Sequence, residues 1–376
     1  MPNQALRCDG NDLVLCNGEG TAEVDENCSL GCSATELRCN DVKPSNGLAP
    51  YLDMTAGEPD LDLGTKATIN TDDGTVMVDG NPVAVKSATM AQTSAPTIRV
   101  FVVHSLTTTD VTITGSNALA VVSNGDLKIN GVFAASGNTA LSGAGAFNDG
   151  TCRGGDVTIV GSAATVSGAG GGGFGRPGGV GGTATSDDGI AFGGIGGTAT
   201  GNPTLVPLRG GCDSGKLGVN AKGSGGGAVQ LVSRTQIAIS GVVAANGSSS
   251  IGGGSGGGIL LEAPVVEVRG GVVANGGAGA GGCTLALPGE NGRLDAKPAT
   301  GGVGCANGAN GGNGGAGNSG TGDGASINLA GTGILIVFAG HGGGGVGRIR
   351  VNTVSGGLHA TGLFSPNPSS GTIASR

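Results

Sequence analysis

The sequence predicts an all-β protein. The expected form is a parallel β-helix (β-solenoid) with glycine-rich, polyglycine-II-like insertions and a small disulfide-rich N-terminal head. Three observations carry that expectation: an ungapped internal repeat with strand-like alternation, glycine tracts with a three-residue period, and five cysteines crowded into residues 8–39.

The repeat sets the architecture. Residues 118–137 read ALAVVSNGDLKINGVFAASG and residues 228–247 read AVQLVSRTQIAISGVVAANG, with nine of 20 positions identical at an offset of 110. A third copy, ILLEAPVVEVRGGVVANG at 259–276, keeps Val266, Val268, Gly270, Ala274, Asn275 and Gly276 in register with Ile237, Ile239, Gly241, Ala245, Asn246 and Gly247. DVTIVGSAATVSGAG at 156–170 is a fainter relative. Leu127, Ile129, Ile237 and Ile239 alternate with polar or small neighbours, the period of a half-buried strand. Gly131, Gly241 and Gly270 follow, where the chain must turn sharply and only glycine takes φ > 0 freely. One coil of about 20 residues cannot cover its own apolar face, but stacked neighbours cover one another. Ladders of small β-branched side chains then suffice as an interior, which suits a chain with 2% aromatic residues and no Trp. A β-sandwich with glycine-rich loops would also show short alternating strands; a 20-residue repeat without gaps favours the solenoid.

Glycine supplies 84 of the 376 residues, about three times the usual 7%. It recurs at 308, 311, 314, 317 and 320, and at 172, 175, 178 and 181. A period of three matches a polyproline-II-like helix, which has three residues per turn and no internal hydrogen bonds. Flexible linkers are the usual reading of such composition. Phe174, Val180, Ile195 and several cysteines within the tracts argue for packing instead.

Cys8, Cys16, Cys28, Cys32 and Cys39 lie in a polar stretch too short to build a sufficient core alone, so disulfides are the expected remedy. Zinc is the rival, but it would want two short cysteine pairs or nearby histidines. Only Cys28/Cys32 approaches that spacing, and His104, His341 and His359 are all distant. The odd number leaves one thiol without a local partner. Among the remaining four, Cys283 and Cys305 are candidates to close a short loop, and Cys152 and Cys212 a longer one. The resulting division is a cysteine-rich head (about 1–46), a β-rich transition or cap (47–100) and a glycine-laced solenoid (101–376).

Composition also excludes classes. So much glycine is incompatible with a helical bundle, since each interior glycine costs about 1 kcal/mol relative to alanine. With 14 prolines and a broken triplet period, collagen is excluded. A nucleic-acid binder is not expected from a net charge of −8 and so few stacking aromatics. Charge is uneven: residues 1–75 hold 14 of the 27 acidic groups and four basic ones, leaving the rest nearly neutral. No stretch of about 20 apolar residues is present to span a membrane, and no leader is visible. The cysteines nonetheless point to an oxidising compartment, so the leader is expected to be missing from this chain.

Chemistry-bearing motifs are sparse. Asn70-Thr71-Asp72-Asp73, Gly340-His341-Gly342 and Arg348-Ile349-Arg350 resemble, in order, the signatures of the polygalacturonase family of β-helix enzymes. In that family the acidic motifs and the histidine lie about one coil apart, whereas here nearly 270 residues separate them. No catalytic residue is therefore assigned, and Asp72-Asp73-Gly74 reads as a hairpin turn. Calcium is a minor candidate at Asp72/Asp73, Asp187/Asp188 and Asp323, which sit beside glycine and offer hard oxygen ligands. Ordinary turn chemistry accounts for the same pattern. No cofactor is expected.

The order of parts resembles a group of glycine-rich secreted or lipid-anchored surface proteins common in myxobacteria. The matching stretches are residues 7–47, GSNALAVVSNGDLKING at 115–131, GGGAVQLVSRTQIAISG at 225–241, GGGILLEAP at 256–264 and GGGGVGRIRVNT at 342–353. The tracts alone are equally similar to PE-PGRS-type proteins. The resemblance implies an extracellular or cell-surface location and no established activity. The expected function is a non-enzymatic surface or matrix protein with a structural or adhesive role, self-associating or meeting cell-envelope or matrix components. The alternatives are a module that binds glycans or surfaces through its glycine-rich loops, and a β-helix polysaccharide lyase or hydrolase.

Overall fold

A computed structural model of the chain describes residues 2–162, 164–218, 221–284, 287–334 and 336–376. The fold is nearly all β, with 36% strand and 2% helix. Among the described residues the helical elements are one turn, Ala49–Leu52, and the 3-10 turn Asp53–Thr55.

Five chain segments each donate one strand to each of three ladders. The first ladder receives Ile98–Val103, Ala118–Ser123, Ala228–Ser233, Gly258–Glu262 and Arg348–Thr353. Ser105–Thr108, Leu127–Ile129, Gln236–Ile239, Val265–Val268 and Leu358–Ala360 enter the second. Into the third go Asp110–Thr114, Val132–Ala134, Val242–Ala244, Gly271–Val273 and Leu363–Ser365. Within these sets every neighbouring pair is parallel. Ile129 pairs with Ile239, and Ile239 with Val268, so the repeat copies lie beside one another in the register of their alignment. Residues 135–227 are inserted between the second and third segments, which accounts for the offset of 110.

The region 47–100 belongs to the same sheets. Asp60–Asp62 joins the second ladder and Lys66–Asn70 the third, both in parallel. Lys86–Met90 closes one edge of the first ladder in antiparallel fashion. Ser369–Thr372 lies at its other edge.

Alternation sends one face of every ladder into a common core. Phe101, Leu119, Val121, Leu231, Leu261 and Val351 from the first ladder meet Leu127, Ile129, Ile237, Ile239 and Val268 from the second. Phe133, Val243 and Val272 from the third join them. Ile129 and Val268 are fully buried and Ile239 is 1% exposed. The first ladder is also buried on its outer face, where Val100, Ala120, Val122 and Leu260 pack under Val42, Leu48, Leu52, Phe174, Leu205 and Leu208. Covering both faces turns Ala118–Ser123 and Ala228–Ser233 into runs with every residue buried.

The insertions 135–227 and 274–347 are mostly extended backbone outside strands. Their hydrogen bonds step by three. Amides of Gly168 and Gly171 reach the carbonyls of Gly182 and Gly179, while Gly170 and Gly173 reach Gly155 and Cys152. Gly172 reaches Gly253, a third direction. The second insertion repeats the rule, with Gly276, Gly279 and Gly282 donating to Gly315, Gly312 and Ala309. Three residues per turn point successive amides about 120° apart, so each tract binds several neighbours. Such spacing leaves no room for side chains: a Cβ on Gly168 would overlap the Gly340 carbonyl oxygen.

The N-terminal region has a three-stranded antiparallel sheet, Ala5–Asp9, Asp12–Cys16 and Glu23–Asn27. Disulfides join Cys8 to Cys32 and Cys28 to Cys39. Cys16 is a half-buried free thiol. Where this region meets the ladders, Asp41 takes Arg234 Nε and Nη2 at 2.9 and 2.8 Å and Arg376 Nη2 at 3.0 Å. Beside it the buried Glu262 carboxylate accepts from Ser45 N, Ser45 Oγ, Gln230 Nε2 and Asn352 Nδ2. Four donors satisfy a buried carboxyl group that has no salt-bridge partner among the described residues.

Candidate functional site

The three motifs that resemble the β-helix enzymes are not brought together. Asp72 borders a cleft of about 480 Å³, His341 a separate cavity of about 350 Å³, and Arg348 a third cleft of about 240 Å³.

The first cleft lies between the Asn70–Asp73 turn, Asp110–Thr114 and residues 136–146, with Thr112, Thr114, Ser136 and Asn138 in its walls. Asp72 Oδ1 accepts the Ser116 amide at 2.7 Å and its hydroxyl at 2.6 Å, and these bonds hold the carboxyl below its usual range. Asp73 Oδ1 takes the Thr75 amide at 2.8 Å, and the bonds from Thr75 lower its pKa likewise. Arg99 Nε then donates to the Thr71 carbonyl at 3.0 Å. Both carboxylates are kept ionised and spent on shaping a turn, so neither is tuned as a general acid.

His341 is buried among apolar groups, and burial pushes its pKa down to about 4. Its Nδ1 accepts the Ala169 amide at 2.9 Å, which places the ring proton on Nε2. Ile159, Val166, Leu217, Ile251 and Phe338 line the cavity it borders, as does Cys283. The imidazole stands where a neighbouring carbonyl would receive the tract amide, so its role is in packing the glycine layer.

Asp187 and Asp323, also considered for calcium, accept backbone amides from distant segments. Asp187 accepts the amides of Gly331 and Gly333, and Asp323 Oδ1 accepts that of Val180 at 2.7 Å. No group of three or more His, Cys, Asp or Glu able to hold a metal occurs among the described residues. The structure bonds Cys152 to Cys212, whereas Cys283 and Cys305 are free thiols.

Around that third disulfide stands a polar and aromatic cluster that sequence spacing did not reveal. The Arg209 guanidinium lies 5.0 Å from the Phe147 ring centroid and 5.6 Å from that of Phe174. Arg348 stacks on Phe174 as well, at 5.6 Å. Cations over aromatic faces gain from the ring quadrupole, most when desolvated. Asp149 is the one carboxylate bonded within the stack, with Arg209 Nη2 at 3.0 Å and Thr200 Oγ1 at 2.6 Å. Burial pushes Asp149 up, but bonds from Thr200, the Cys152 amide and Arg209 outweigh it and hold the carboxyl well below its usual range. Arg348 is held below its usual value by burial and by the nearby charge of Arg209. The sequence had singled out Phe174, Arg348 and the Cys152/Cys212 pair for separate reasons, with nothing to join them to Phe147, Asp149 or Arg209.

Comparison of the chain with protein-family models, curated proteins and solved structures gives no match. No helix among the described residues is long and apolar enough to cross a membrane. Three disulfides suggest an oxidising, extracellular setting.

Proposed function

We propose that this chain is a non-enzymatic extracellular surface or matrix protein with a structural or adhesive role. In this reading the three ladders are the faces of a parallel β-helix, and the insertions are polyglycine-II-like layers stacked against it. The carrying observation is the three-directional backbone bonding of the tracts, which spends amides and carbonyls internally and stiffens a body poor in charge. Some apolar side chains along the tracts face outward, with Phe192 69% and Ile195 73% exposed, a surface suited to contact with cell-envelope or matrix components or with a second copy.

The test is fractionation of the cells that express the chain, with surface labelling of intact cells. Recovery with the envelope or matrix, surface label and oxidised Cys152 and Cys212 is the expected result. A cytosolic protein with all thiols reduced overturns the reading. A glycan-binding module is the second reading, favoured by a cleft whose largely apolar wall carries Thr112, Thr114 and Asn138. The dispersal of Asp72, His341 and Arg348 gives the lyase or hydrolase reading nothing to build on.

A further inference from the structure

We propose that the cleft between Arg176 and Arg348 binds the carboxylate or sulfate group of an acidic polysaccharide. Its walls are the tract at Gly175 and Arg176, the loop at Pro203, residues Gly317 and Asn318, the start of Arg348–Thr353, and Asn367 with Ser369. Two arginines, Arg176 and Arg348, therefore line one small cleft, and no Asp or Glu lines it. Neither arginine forms a salt bridge among the described residues.

The positions of both arginines are fixed by neutral acceptors. Arg348 lies on Phe174 and directs Nε and Nη2 to the Thr200 carbonyl, at 3.1 and 2.9 Å. Arg176 Nη1 donates to the Asn318 carbonyl at 2.8 Å. Each guanidinium retains unused donors, and their charges are not neutralised by these contacts. The nearby acid, Asp149, is already committed to Arg209 and Thr200. Burial and the Arg209 charge both act against the charged form of Arg348, and an arriving anion would relieve the repulsion. Paired, pre-positioned guanidinium groups are the usual means of recognising planar or tetrahedral oxyanions.

The remaining lining favours a sugar acid over a bare ion. The Asn318 and Asn367 side chains make no hydrogen bond among the described residues, so two carboxamides with donor and acceptor capacity flank the arginines. An acidic sugar presents an oxyanion with hydroxyls beside it, which matches that set. This inference rests on the surface-protein reading and names the chemistry of its partner.

The test uses the full chain with its disulfides intact. Binding is measured to an alginate oligosaccharide, to neutral dextran and to sodium sulfate, for the wild type and for Arg176→Ala. The arginine is exposed, so a thermal midpoint for each protein verifies that folding is unchanged. The expected result is binding to alginate but not dextran, falling with added salt and weakened about tenfold in Arg176→Ala. Arg348→Gln is expected to weaken it by a similar factor. Equal binding of dextran, undiminished binding by Arg176→Ala, or binding of sulfate alone overturns the proposal. Those outcomes leave the surface location standing, because envelope recovery and surface labelling are measured separately.

Discussion

The imidazole of His341 accepts the backbone amide of Ala169 across 172 residues of sequence, at 2.9 Å. A buried amide without a partner costs about 1–3 kcal/mol, so this ring completes the hydrogen bonding of a tract most of whose other amides find carbonyls. Its protonation would convert the acceptor into a donor facing a donor. Folding therefore requires the neutral form, as the depressed pKa of about 4 reflects.

From that follows a pH dependence. The unfolded chain binds a proton at this histidine near pH 6.5, and the folded chain only near pH 4. Between those values the unfolded state holds more protons, so stability falls as pH falls. The contribution is complete above pH 6.5 and is lost progressively toward pH 4, by about 3 kcal/mol in total. His341→Asn can keep the acceptor without titrating. Denaturant midpoints should show the wild type losing more stability than this variant between pH 7 and pH 4; parallel slopes would refute the linkage.

Gly168→Ala tests the closeness of the glycine layers. The added methyl would collide with the carbonyl oxygen of Gly340 and with Gly182 N, both backbone atoms that cannot swing aside. Overpacking of this kind costs about 1–3 kcal/mol and sometimes more. At Gly320 the space around a Cβ is open, so Gly320→Ala should be neutral or slightly stabilising. Urea unfolding of the two variants should separate them by roughly 3 kcal/mol.

What could be read beforehand follows from which interactions repeat. The pairing of Leu127 with Ile237 and of Ile237 with Val266 was legible, because alternation and the glycines after it recur in each copy. Burial of the outer face at Val100 and Ala120 was not, since its cover comes from Leu48, Leu52 and Leu205, distant in sequence and without periodicity. Nor did any spacing link Phe147, Phe174, Arg209 and Arg348, which meet only because the insertion folds back on the first ladder. Repetition carries fold information; a site assembled once from unrelated segments leaves no pattern.

The Cys152–Cys212 bridge spans 60 residues of the first insertion. Closing a loop of that length restrains the unfolded chain by about 4 kcal/mol on the chain-entropy account. Arg209 also packs against both sulfurs, so their loss loosens the arginine stack. The double variant Cys152→Ser/Cys212→Ser should lose about 4 kcal/mol in denaturant unfolding. Because this bridge holds the stack on which Arg348 rests, alginate binding should weaken in parallel. An unchanged midpoint would show that the glycine layers hold the insertion without it.

Cys283 and Cys305 provide the last prediction. Burial and the neighbouring Cys305 thiol push the Cys283 thiol up, whereas Cys305 is exposed and is the first of the two to meet an oxidant. Cys305 Sγ now donates to the Gly282 carbonyl at 3.3 Å, so a bridge to Cys283 requires that contact to yield. With oxidised glutathione as oxidant, Cys305 is expected to form the mixed disulfide first and Cys283 to resolve it, releasing reduced glutathione and leaving a fourth bridge. Intact mass should then show the loss of two hydrogens with no retained glutathione, and alkylation should mark only Cys16. Cys283→Ser should instead trap the mixed disulfide at Cys305. Two thiols that remain alkylatable after prolonged oxidation would show that the glycine layer holds them apart.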